Sequence, residues 1–245
     1  IALLLSILMP ALQIAKEKAY SIVCMTNTKN MSLGWYLYQQ DNHSKIMAAH
    51  CDGAWKSRSD KTRIAPAWIK KPRKADGTVI NDCENDASHP LSLVTDEDEI
   101  RGIERGALWN YVEEPDIFNC PADKIKATKG DGGEKFVTYG MPAALAGNFP
   151  VGHNSNLQHR ILKFSKISSP STRYNFVEIG EQRNFPMHGH WILGAPEYGV
   201  EWCYRTPPSI SHGDSSIFGF SDGHAEARKW RDKYTLEVAK KLNDP

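Results

Sequence analysis

The chain has 245 residues, enough for one domain and a helical stalk. Its 30 basic and 29 acidic side chains nearly cancel, which leaves no electrostatic footprint for nucleic acid. Seven tryptophans within a 40% hydrophobic composition suffice for a packed core. No coherent repeat points to a solenoid.

Ile1 to Pro10 is an uncharged apolar run. It is too short to span a bilayer, which takes roughly 20 residues. It passes without a break into a helical pattern that continues to about residue 41. A helix that begins apolar all round and becomes two-faced has its first part in a membrane or bundle core and its second part against a globular domain. Two other readings are a buried N-terminal helix of a soluble protein and the tail of a secretory signal. Against the signal, the periodicity runs well past Pro10 and no small-x-small cleavage site ends the run. The start at Ile1, with no charged leader before it, reads as a fragment or processed form lacking its membrane-proximal start.

Leu12, Ala15, Ala19, Ile22, Val23, Leu33 and Leu37 recur at three- and four-residue steps and form one face. Pro10 lacks an amide donor, so a kink is expected there. At about 1.5 Å per residue the helix is roughly 60 Å long. That length suits a stalk that packs against copies of itself, through Leu3, Leu4, Leu5, Leu8, Leu12 and Ala15 around Pro10.

Residues 42–90 are polar and charged in patches, and read as an irregular excursion. Its basic run from Lys70 to Lys74 reads as a solvated loop, or less favourably as a contact for an acidic surface. Asp96 to Tyr111 predicts a helix with acidic residues at its N-terminal end, where the dipole favours them. Phe118 to Asp123 reads as a strand end running into a turn. Strands are expected over 135–139, 174–179, 216–220 and 224–230. The last two flank Ser221-Asp222-Gly223, a hairpin signal because glycine accepts the positive φ of the turn. Residues 232–243 predict a short amphipathic helix or tail.

Five cysteines (Cys24, Cys51, Cys83, Cys120 and Cys203) lie far apart with no CxxC pair, which weakens zinc-finger and thioredoxin-type readings. In an exported chain one or two disulfides are plausible. Cys51 with Cys83 is the suggested pair, since both lie in a polar stretch. Buried thiols are the other reading.

The two ends together resemble one family. The helix from Ala2 to Asn42 is similar to the N-terminal helix of prepilin-like proteins of planctomycete, verrucomicrobial and lentisphaeral bacteria. His212, followed after nine residues by Asp222-Gly223, matches the H-x9-DG signature of the same group. Segments 106–123 and 136–141 are similar to its mid-domain, whereas 43–95 looks like an individual insertion. The family's leader, N-terminal Phe and nearby Glu do not occur in this sequence, so processing and methylation are assigned to no residue.

The resemblance implies a pilin-like α+β fold. A long helix (1–41) packs on a small antiparallel β-sheet head with loop-rich insertions (42–245), and the signature spans 212–223. It implies a non-enzymatic subunit of a type II secretion pseudopilus or type IV pilus-like filament. The expected partners are copies of itself, other pseudopilins, the inner-membrane assembly platform and, through the helix, the membrane. The head would face the periplasm or exterior. A heterologous, non-closing contact between identical subunits generates such a filament.

His212, Asp214, Asp222 and His224 are the most motif-like polar residues. Major pseudopilins often hold calcium near this part of the head, and calcium wants six to eight oxygen ligands. The bland reading is favoured: Asp222-Gly223 makes the turn and His212 locks it by bonding backbone. His188 and His190, two apart on a strand, share a face. With Glu178 and Glu181 upstream they suggest the zinc site of an exported hydrolase. Trp191, Tyr198, Trp202 and Tyr204 suggest a glycan- or protein-binding platform, or ordinary packing. GxSxG, P-loop, GxGxxG and HExxH motifs are absent from the sequence.

Overall fold

The computed structural model describes residues 2–51, 54–55, 63–80, 94–123, 136–142, 145, 161–180, 190–191 and 208–243. The first helix, α1, spans Ala2–Asp41 with Pro10 inside it. It ends where the chain turns left-handed at His43 and Ser44, and Asn42 and Ser44 donate their amides to Tyr38 and Gln39. Residues 8–19 are exposed on every side. From Tyr20 onward the helix meets the rest of the chain.

The face that meets it carries Cys24, Thr28, Met31, Ser32, Trp35, Tyr38 and Gln39, all buried and spaced by threes and fours. The apolar stripe read from the sequence lies on the other side. Leu8, Leu12, Ile22, Val23, Leu33 and Leu37 are exposed, from 40% at Leu33 to 71% at Leu12. The packing face is chosen by shape as well as hydrophobicity. Thr28 and Ser32 are small enough for a strand to lie directly on the helix. Among the described residues no helix is long and apolar enough to cross a membrane.

The excursion after α1 is only partly irregular. Ile46, Met47, Ala48 and Ala49 are buried. Two short antiparallel strands, β1 (Ala54–Trp55) and β2 (Arg63–Ala65), lead to Trp68. Trp68 is fully buried, stacks on Phe118 and meets Phe176 edge-on. Its indole N–H donates to the Ala49 carbonyl at 2.9 Å. One large aromatic thus brings a mostly polar segment into the core, which average composition conceals. In the basic run Pro72 is buried and Lys74 is exposed.

The helix expected over 96–111 is split into α2 (Asp96–Ile103) and α3 (Trp109–Val112). Thr95 and Asp98 form a reciprocal capping box at the start of α2. The break has a tertiary cause. The amides of Ala107 and Leu108 donate to Ala67 and Trp68 rather than back along a helix. A Cβ on Gly106 would lie 2.1 Å from the Trp68 carbonyl oxygen, so only glycine allows this approach. A 3-10 turn, Pro115–Phe118, leads to Cys120, and a turn closes from Asp123 to Cys120.

The strands β3 (Tyr139–Pro142), β4 (Tyr174–Glu178), β5 (His190–Trp191), β6 (Ser215–Phe220) and β7 (Ala225–Lys229) form one sheet, ordered β5-β3-β4-β6-β7. Four of them, β3-β4-β6-β7, are antiparallel, and β5 joins β3 in parallel. The first expected strand is therefore displaced toward the C-terminus, and the other three agree within a residue or two. The hairpin turns at Gly223, whose φ is +93°. A helix, α4 (Lys233–Asn243), follows.

One face of the sheet, with Tyr139, Phe176 and Ile217, packs into the main core against Cys24, Met31 and Trp35 of α1. The other gathers Val177, Ile179, Phe218 and Phe220 with Tyr174 and Trp230. The architecture is α+β, a long helix against a sheet whose four central and C-terminal strands, β3-β4-β6-β7, are antiparallel.

Candidate functional site

Where α1 crosses the sheet, four chemically active side chains from four segments meet. Cys24 comes from the packed face of α1. Asn27, one turn on, donates to the carbonyls of Asp116 and Asn119 at 3.3 and 3.1 Å and so fixes the turn that carries Cys120. The Cys120 amide donates to Thr138 Oγ1 at 2.7 Å, anchoring that turn beside β3. Cys24 and Cys120 form a disulfide across 96 residues, with Cα atoms 5.3 Å apart.

Glu178 closes β4, and His212 stands just before β6. His212 Nε2 lies 3.0 Å from Glu178 Oε1 and 3.4 Å from Cys120 Sγ. The other carboxylate oxygen, Oε2, accepts the Ile217 amide at 2.8 Å. The side chains of His212 and Glu178 are only 3% and 1% exposed. Nδ1 of His212 is buried and meets no hydrogen-bond partner among the described residues. One ligating atom from each of Cys24, Cys120, Glu178 and His212 falls within 4.8 Å of the others.

Burial pushes the Glu178 carboxyl above the ordinary carboxylate range; His212 and the Ile217 amide pull the other way without cancelling it. Tyr139, the cross-strand neighbour of Glu178, is also buried, and its phenol is held well above its usual value by desolvation and then by that carboxylate.

The structure separates the four motif-like residues. His212 lies at one end of β6 and Asp222 and His224 at the other, across a six-residue strand of roughly 20 Å. Asp222 Oδ1 pairs with His224 Nδ1 at 2.6 Å on the surface, and the His224 ring stacks on Phe220. Asp214 sits 3.4 Å from Lys240 of α4. Asp222-Gly223 makes the hairpin turn. The His212 ring contacts the Glu178 carboxylate and a sulfur, where the sequence suggested a backbone lock. A calcium ion, which takes six to eight oxygens, is not matched by two sulfurs, an imidazole and one carboxylate.

His188, Glu181, Tyr198, Trp202 and Tyr204 lie outside the described residues, as do the side chains of Leu3, Leu4, Leu5, His190 and Trp191. The backbone of His190 pairs with Met141 in β3, two strands from Glu178, whose carboxylate is turned to His212. Cys51 is buried with its sulfur 4.0 Å from His50 Nδ1; Cys83 is outside the described residues.

Sequence reasoning missed Cys24 with Cys120. The signal was the second periodic face of α1, Cys24-Thr28-Met31-Trp35, which is as regular as the apolar stripe but mixes polar and apolar types. Comparison of the chain with protein-family models, with curated proteins and with solved structures returned no match.

Proposed function

We propose that the chain is a structural subunit of a helical filament, of the type II secretion pseudopilus or type IV pilus-like kind. The observation that carries this reading is the outward apolar stripe of α1. Leu8, Leu12, Ile22, Leu33 and Leu37 are exposed along a helix whose opposite face is already packed. Residues 8–19 extend beyond the head for about 18 Å at 1.5 Å per residue. Burying each large apolar side chain contributes roughly 1.5–3 kcal/mol, so leaving such a stripe in water is costly.

The occupant proposed for the stripe is the helix of a second copy. Both helices then present apolar stripes at compatible spacing, while the packed head faces keep the sheets apart. A staggered contact of this kind does not close on itself and propagates as a filament. In this reading α1 belongs to the inner membrane before assembly, and the head to the periplasm or the filament exterior. The H-x9-DG resemblance points the same way.

The test is self-association of the full chain with Leu12→Lys and Ile22→Lys as the paired control. The wild type should give a cross-linked ladder running beyond the dimer, with polymers in negative-stain images. The double variant should stay monomeric with its head folded. A wild type that sediments as a monomer at every concentration, or a variant that polymerises equally well, overturns the proposal.

A further inference from the structure

We propose that Cys24, Cys120, His212 and Glu178 form a zinc site in the dithiol form of this chain, so that disulfide and metal are alternative occupants of one buried position. The argument begins with distance. Zinc binds sulfur at about 2.3 Å and nitrogen or oxygen at about 2.0–2.2 Å, which gives a tetrahedron with edges of roughly 3.4–3.8 Å. His212 Nε2 already lies 3.4 Å from Cys120 Sγ and 3.0 Å from Glu178 Oε1. The donor atoms of all four residues fall within 4.8 Å of one another. Cα atoms 5.3 Å apart allow the two sulfurs to separate to a tetrahedral edge by side-chain rotation.

The donor chemistry selects the ion. Two thiolates, an imidazole and a carboxylate suit zinc and are poor for calcium or magnesium. The surroundings favour a cation. Glu178 is an almost fully buried carboxylate, and desolvation penalises its charge. A divalent ion beside it compensates that charge. The four ligands come from α1, the turn after the 3-10 segment, the end of β4 and the turn before β6, so the ion would tie the stalk to the head as the disulfide does.

The exchange balances. A dithiol reductant opens Cys24–Cys120, leaves as its own cyclic disulfide and yields two thiols. The two thiols release two protons as two sulfur–zinc bonds form. Oxidation reverses this: a disulfide oxidant takes two electrons from the thiolates, the sulfurs join and the ion leaves. The inference concerns the redox state of the head and does not rest on filament assembly.

The test uses the full chain, opened with a phosphine reductant, and cobalt(II) as a spectroscopic probe that zinc displaces. The reduced chain should bind one equivalent with thiolate-to-cobalt charge-transfer bands and tetrahedral ligand-field bands. The oxidised chain should show no thiolate bands. His212→Ala should weaken binding roughly tenfold or more, whereas Cys51→Ala with Cys83→Ala should leave the spectrum intact. Where the reduced chain loses its helix signal, added zinc should restore it, because metal binding and folding are coupled. Absence of thiolate–cobalt bands in the reduced chain overturns the proposal. So do bands that vanish with Cys51 and Cys83 but persist without Cys24 and Cys120, or a reduced, unfolded chain that zinc fails to refold.

Discussion

Glu178 has a carboxyl that burial holds above the ordinary carboxylate range. Its folded-state carboxyl holds its proton at pH values where the unfolded chain, titrating near about 4.3, has released it. The folded state therefore binds more protons in that window, and stability falls as pH rises from the unfolded value through the folded one. Glu178→Gln keeps a carbonyl for the Ile217 amide and removes the titration. Thermal unfolding followed across the mildly acidic range should show a flatter pH dependence in the variant. An unchanged slope would place the titrating group elsewhere.

Gly219 shows a different constraint at the same scale. A Cβ there would sit 2.1 Å from Ser32 Oγ and 2.9 Å from Thr28 Cγ2. Gly219→Ala should cost roughly 1–3 kcal/mol through overpacking, and less in a Ser32→Ala background, where the nearest atom is gone. Denaturant unfolding of the four chains measures that coupling. The sequence displays Gly219 plainly within a strand, but nothing local says which helix residues it must admit.

At the scale of elements, α1 is joined to the 3-10 turn and the residues after it by the Cys24–Cys120 disulfide and the Asn27 side chain, and to β4 by the Ser32 to Asn175 hydrogen bond of 2.9 Å. The disulfide closes a loop of 96 residues, for which chain entropy implies a stabilisation on the order of 4–5 kcal/mol. Cys24→Ser with Cys120→Ser should lower the denaturant midpoint of the metal-free chain by a corresponding amount. The same loss should appear on reducing the wild type, and zinc should recover part of it there but not in the double variant. The hairpin of β6 and β7 was legible because Asp-Gly specifies its own turn. The start of α2 was legible because the acidic run Asp96 to Glu99 opens it, where the dipole favours negative charge. The end of α2 was not, since the amides of Ala107 and Leu108 find partners some forty residues earlier, at Ala67 and Trp68.

For the whole molecule, the two faces of α1 are the governing feature. One carries the head, and the other presents Leu8, Leu12, Ile22 and Leu37 outward, interrupted by the exposed Thr26 and Asn30. Charging the outer stripe with Leu12→Lys and Ile22→Lys should leave head stability within about 0.5 kcal/mol, as exposed substitutions usually do, while removing self-association. A loss of head stability comparable to that of the cysteine variants would mean that the stripe belongs to the head after all. By itself the sequence determined the long helix, the acidic start of α2, the hairpin and the final helix, because each is specified by residues within a few positions of one another. Only the tertiary structure decided which face of α1 is packed, which cysteines pair, and that Glu178 meets His212. Those contacts join segments tens of residues apart, and their partners are set by strand register and close packing, which no local periodicity encodes.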